Sequence, residues 1–153
     1  KSKIIRYVMG NNISYKTATF DDIIYASNHT DTCIIITTLP ESSKCLIYGT
    51  CPIEQEEKQI NDIIDNNKNI KIIIYGSSCS DLSVVKKYNQ LRNSGLKDVF
   101  VYMGGLFEWL LLQDVYSSDI FRTIGSDLDI LTYSGKPSII QNTHGIRASP
   151  TYP

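Results

Sequence analysis

Residues 70–105 read IKIIIYGSSCSDLSVVKKYNQLRNSGLKDVFVYMGG. The run 70–75 is short and rich in β-branched residues, the pattern of a strand buried on both faces. A loop of mostly small residues, 76–83, follows. Residues 84–95 then place Val84, Tyr88 and Leu91 at helical spacing and end on Gly95, the residue type that most easily turns left-handed past a helix end. DVFVYM (98–103) is a second buried strand, and Gly104-Gly105 turns the chain into LFEWLLLQD (106–114), a short apolar helix. Strand, helix, strand, helix in this rhythm builds βαβ units, whose strands are parallel.

Working outward, the same alternation continues upstream. Thr19 stands before FDDIIYAS with Asp21 and Asp22 in the first turn, where a helix favours negative charge, and Ile23, Ile24 and Ala26 point inward. Cys33–Thr37 is a continuous β-branched strand, LPESSK a loop, and CLIYGTCPI (45–53) a second short strand closed by Gly49 and Pro52. Residues 54–66 carry acidic residues early and Ile60, Ile63 and Ile64 on one face, an amphipathic helix. The expected fold is α/β, a doubly wound, mainly parallel sheet of about five strands with helices on both faces. Residues 1–18 read as an arm with one short strand, 19–116 as the core, and 117–153 as a loop-rich extension and tail.

With 153 residues the chain can bury roughly 70% of its unfolded surface in one compact domain. Lys plus Arg is 15 and Asp plus Glu is 16, a balance that argues against a polybasic nucleic-acid binder. No apolar run is long enough for a membrane span, and KSKIIRYVMG has neither the apolar core nor the cleavage site of a signal peptide. Neither nucleic acid nor membrane is an expected partner. Cys33, Cys45, Cys51 and Cys79 form no CxxC pair and have no His at zinc-ligand spacing, so no metal or other cofactor is expected. A Cys45–Cys51 disulfide is open, but reduced thiols in an intracellular, cytoplasmic setting are the default. The excess of Ile, Asn, Lys and Tyr over Ala is what an AT-rich genome produces.

In an open parallel sheet, ligands bind at the carboxyl ends of the strands. Two strand ends here carry small-residue loops, 76–83 and Gly104-Gly105. The first leads into a helix N-terminus, where amides converge on an anion and the helix dipole favours a thiolate. Cys79 is therefore the candidate nucleophile, with Gly76, Ser77, Ser78, Ser80, Asp81, Leu82 and Ser83 as the anion-binding loop. Asp81 opposes a thiolate unless it caps the following helix. The loop has neither the glycine spacing nor the Lys of a phosphate-binding loop. His29 and His144 read as surface or loop residues, and Trp109, Phe107 and Leu110–Leu112 as core.

The chain resembles the rhodanese-like domain family over about residues 19–115. In that family a strand ends at the active-site cysteine, a helix follows, and a G-(F/Y)-x-x-V-x-x-L-x-G-G-x-x-x-W segment comes after. Here that segment is Gly95, Leu96, Val99, Gly104, Gly105 and Trp109. CIIITTLPE and LIYGTCPI occupy the places of the family's D-x-R-x-x-x-E and H-I-P-G-A elements. GGLFEWLLLQD also looks like a divergent group found in large DNA viruses and protists. The resemblance implies sulfane-sulfur transfer: a loop cysteine takes sulfur from a donor such as thiosulfate, becomes a persulfide, and passes the sulfur to cyanide or a thiol.

Four departures separate this sequence from the active pattern. The cysteine that normally follows the strand directly is Gly76, and counting back from Gly104 puts it at Ser78, so Cys79 fits neither register. The loop contains no Arg or Lys. The D-x-R strand has neither Asp nor Arg, and the His of H-I-P-G-A is Leu46. Three readings follow: a catalytically degenerate module that binds or scaffolds a protein partner through its terminal arms; an active sulfurtransferase forming a persulfide on Cys79, with a sulfane-sulfur donor or other small anion as ligand; and a structural component of a viral or other large assembly, placed in a virus particle.

Overall fold

A computed structural model describes residues 14–137. Residues 1–13 of the expected arm 1–18, residues 138–153 of the expected extension and His144 lie outside the described residues. The elements run α1 (Phe20–Asn28), β1 (Cys33–Thr37), β2 (Cys45–Ile47), α2 (Ile53–Asp65), β3 (Lys71–Tyr75), α3 (Ser83–Asn93), β4 (Val99–Tyr102), α4 (Gly105–Val115), β5 (Thr123–Gly125) and a 3-10 turn at Ile130–Tyr133. The fold is α/β.

β1, β3 and β4 form a parallel sheet in that order. Ile34, Ile36, Ile72, Ile74, Val99 and Val101 face α2 and α3, meeting Ile60, Ile63, Val84, Tyr88 and Leu91. Ile35, Ile73, Tyr75 and Tyr102 face the other way and join Ile23 and Ala26 of α1 with Leu106, Trp109 and Leu110 of α4. Two-residue alternation along strands buried on both faces explains why they read as unbroken apolar runs.

The expected single sheet of about five strands is found for three. In CLIYGTCPI only Cys45–Ile47 is strand, and it pairs antiparallel with β5 in a separate two-stranded sheet. Tyr48 and Gly49 make the chain turn, with Gly49 at φ +86°, and Thr50 then touches β1 through one bridge at Ile35. At the opposite edge Thr17 touches β4 through one bridge at Val101. Pro52, with no N–H to give a ladder, closes the segment before α2.

Local signals place the helices well. Thr19 and Asp22 form a reciprocal capping box at α1. Gly95 follows α3 at φ +94°. Trp109 and Leu110 are core, whereas Leu111 is exposed and Phe107 and Leu112 are half-buried. The loop-rich reading of 117–137 omitted β5 and the 3-10 turn. This stretch contributes Phe121 and Tyr133 to the α1–α4 side of the core. Its ties are tertiary: the Trp109 indole N–H donates to the Arg122 carbonyl at 3.1 Å, and the Gln113 amide donates to the Phe121 carbonyl.

No helix among the described residues is long and apolar enough to cross a membrane. All four cysteines are free, with Cys33, Cys45 and Cys51 buried and Cys79 exposed. The Cys45–Cys51 disulfide left open by the sequence is thus not formed.

Candidate functional site

Loop 76–83 leaves the carboxyl end of β3 beside the end of β1. Thr38 N–H donates to the Tyr75 carbonyl at 3.0 Å, which fixes the two strand ends together. The loop then closes on its own carboxylate. Asp81 Oδ2 accepts from the Ser77 N–H at 2.9 Å and the Ser77 hydroxyl at 3.1 Å. Oδ1 accepts from the Ser83 N–H at 3.0 Å and from the Ser83 hydroxyl, which also lies 2.7 Å from the Thr38 hydroxyl. Four donors thus converge on one side chain. Burial works against the charged form, but the hydrogen bonds from Ser83 and Ser77 outweigh it and hold this carboxyl below the ordinary range.

The consequence for the sequence-derived candidates is specific. Gly76, Ser77, Asp81 and Ser83 come together around the carboxylate. Ser78 is buried at the loop's inner side, its hydroxyl 3.1 Å from that of Ser80, and its carbonyl takes the Asp81 N–H at 3.0 Å. Cys79 and Leu82 point away: both are exposed, Leu82 to 76%, and the Cys79 thiol has no hydrogen-bond partner among the described residues. The amides of 77, 81 and 83 all have partners inside the loop. A β-carbon built on Gly76 would overlap Asp81 Oδ2 and lie 2.9 Å from Thr38 Oγ1, so a side chain at 76 and a seated Asp81 exclude each other.

The second small-residue loop serves the first. The N–H groups of Leu106 and Phe107, at the start of α4, donate to the carbonyls of Gly76 and Ser77, each at 2.9 Å. The helix N-terminus therefore has backbone acceptors from the loop. Gly105 takes φ +64°, and a β-carbon there would lie 2.6 Å from the Gly76 oxygen and 2.8 Å from the Ser77 carbonyl carbon. Gly105 is what lets α4 approach this closely.

Sequence reasoning missed three residues beside the loop. Thr38 lies one position past β1 and showed only as the second of two threonines. Gly135 lies against Ser80 from a stretch without periodicity. Tyr102, at the end of β4, is buried with a hydroxyl that has no partner among the described residues; burial first, then the neighbouring Glu108 carboxylate, push its pKa upward. His29 stacks on Tyr25 at the exposed end of α1, far in sequence from any thiol of the loop. Two surface concavities, about 510 Å³ along α2 (Glu54, Lys58, Asp62) and about 390 Å³ at the amino ends of β3 and β4 (Lys68, Gly95, Leu96), include no residue of 76–83. Among the described residues no group of three or more His, Cys, Asp or Glu is placed to hold a metal ion.

No protein-family model matches the chain, and no curated protein is detectably similar to it in sequence.

Proposed function

We propose that this chain is a rhodanese-like module whose sulfur-transfer loop is kept as structure and has lost its chemistry, leaving a unit that binds or scaffolds a protein partner. The observation that carries the reading is the Asp81 carboxylate: it takes the amide and hydroxyl donors of Ser77 and Ser83 that would otherwise be available to an anionic donor. Gly76 supports it, because the position directly after the strand has no room for a nucleophile's β-carbon while Asp81 is seated. The family resemblance itself requires the 70–75 and 98–103 ribbons to be adjacent and alike in direction, and β3 and β4 are paired and parallel. With no cation in 76–83 and one carboxylate already present, a thiosulfate-like dianion meets repulsion rather than attraction.

One observation favours the active alternative: Cys79 is a free, exposed thiol within the loop. A single experiment separates the two. The purified chain is incubated with thiosulfate, its turnover with cyanide is measured, and the loop peptide is examined by mass spectrometry. The degenerate module gives no turnover and no added sulfur atom on Cys79. Turnover that Cys79→Ser abolishes establishes the sulfurtransferase instead.

A further inference from the structure

α4 carries apolar residues on every side. Leu106, Trp109 and Leu110 are buried in the core, but Leu111 is 43% exposed and Val115 73%. A helix that is apolar all round is ordinarily covered all round, and α4 is covered on one side only. Phe107, Leu111 and Val115 stand four residues apart, each turned about 40° from the last, so they form one ridge along the outer face, with Phe107 half-buried at its start. The same geometry puts Glu108 on one flank of the ridge and Asp114 on the other. Between Met103 and Arg122 the chain has no Lys, Arg or His, whereas it has Glu108, Asp114 and Asp119. None of these three carboxylates forms an ion pair among the described residues. The ridge is therefore apolar with an acidic border.

We propose that the outer face of α4 is the surface on which this chain receives its protein partner, and that the occupant is an amphipathic helix whose apolar stripe is bordered by Lys or Arg. This rests on the reading of the chain as a binding module and names the face and the chemistry of the partner. A ridge of every fourth residue fits the groove of a second helix, and bases on both borders of that helix meet Glu108 and Asp114. A second copy of this chain is the poorer occupant. Antiparallel pairing centred on Leu111 sets Glu108 of one copy against Asp114 of the other, and parallel pairing sets each carboxylate against its own equivalent, so both place like charges together.

Binding of two fluorescein-labelled synthetic helices to the full chain, followed by anisotropy, tests this. One has leucines at i, i+4 and i+8 bordered by lysines; its twin has glutamate at every lysine. The lysine helix is expected to bind at least about tenfold more tightly than its twin, and more weakly as salt rises. Leu111→Ser with Val115→Ser should weaken it about fivefold or more. Glu108→Gln with Asp114→Asn should flatten the salt dependence. Ile53→Ser, which removes a 47% exposed side chain from α2 across the sheet, should change nothing. Equal binding of the twins, an equal loss in Ile53→Ser, or no saturable binding below about 1 mM overturns the proposal. So does a dimer of the full chain that Leu111→Ser dissociates, since a second copy then holds the face. Should the serine variants lose the fold, Glu108→Gln with Asp114→Asn, which keeps the shape of both side chains, decides alone. The thiosulfate experiment reads the loop's chemistry and not this face, so either idea can fail without the other.

Discussion

At the scale of single residues, Asp81 and Gly76 act as one unit. The carboxylate accepts four bonds, and the glycine leaves the space it occupies. Asp81→Ala is expected to cost about 1–3 kcal/mol at neutral pH, read from urea unfolding, because donors of Ser77 and Ser83 lose their acceptor. The cost should depend on pH. The folded-state pKa lies below the unfolded value, so the stabilisation is fully present above the unfolded pKa of about 3.9 and disappears as pH falls through the folded value. The gap between wild type and variant therefore narrows in acid; a gap of constant size would show that the charge contributes nothing. Gly76→Ala alone should destabilise, and its cost should fall by about 1 kcal/mol or more in the Asp81→Ala background, the signature of a coupled pair. Additive costs would mean that the two positions do not compete. Asp81 was legible as a helix cap from its place ahead of α3. That its other oxygen reaches back to Ser77 was not, because the backbone path of an eight-residue loop is not written in residue types.

At the scale of elements, the two positive-φ glycines of the βαβα unit have different jobs. Gly95 stands in open space beyond α3, and Gly105 is pressed against the backbone of 76–77. Gly95→Ala should cost about 1–2 kcal/mol, the strain of a left-handed alanine alone. Gly105→Ala should cost about 3 kcal/mol or more, since the collision is with backbone that cannot rotate away. Equal midpoints in urea for the two variants would mean that Gly105 is not what lets α4 reach the loop. The helices and the three parallel strands were readable because capping residues and apolar periodicity are local signals. β2 was overextended for the opposite reason. LIYGTCPI has strand-like composition throughout, but Gly49 turns the chain, and Tyr75 holds the turn from outside. Its hydroxyl accepts the Ile47 N–H at 3.1 Å and pairs with Thr50 Oγ1 at 2.9 Å, while Thr50 donates to the Ile47 carbonyl.

At the scale of the whole molecule, packing on the sheet's two faces sorts the four thiols. Native chain should react with a thiol reagent at one site and urea-unfolded chain at four, and Cys79→Ser should abolish the native reaction while leaving three in urea. More than one fast native thiol would mean that the β1 or β2 side of the core opens readily. Sequence alone determined the α/β class, the parallel βαβ order from 70 to 114 and the position of the small-residue loop. These follow from hydrophobic period and turn chemistry, which act over a few residues. Tertiary structure alone decided that the loop closes on its own carboxylate, that Cys79 faces outward, and that residues 117–137 return to the core through Phe121 and Tyr133. Those outcomes depend on which distant groups satisfy each buried donor and fill each gap, and that is set by how the layers pack.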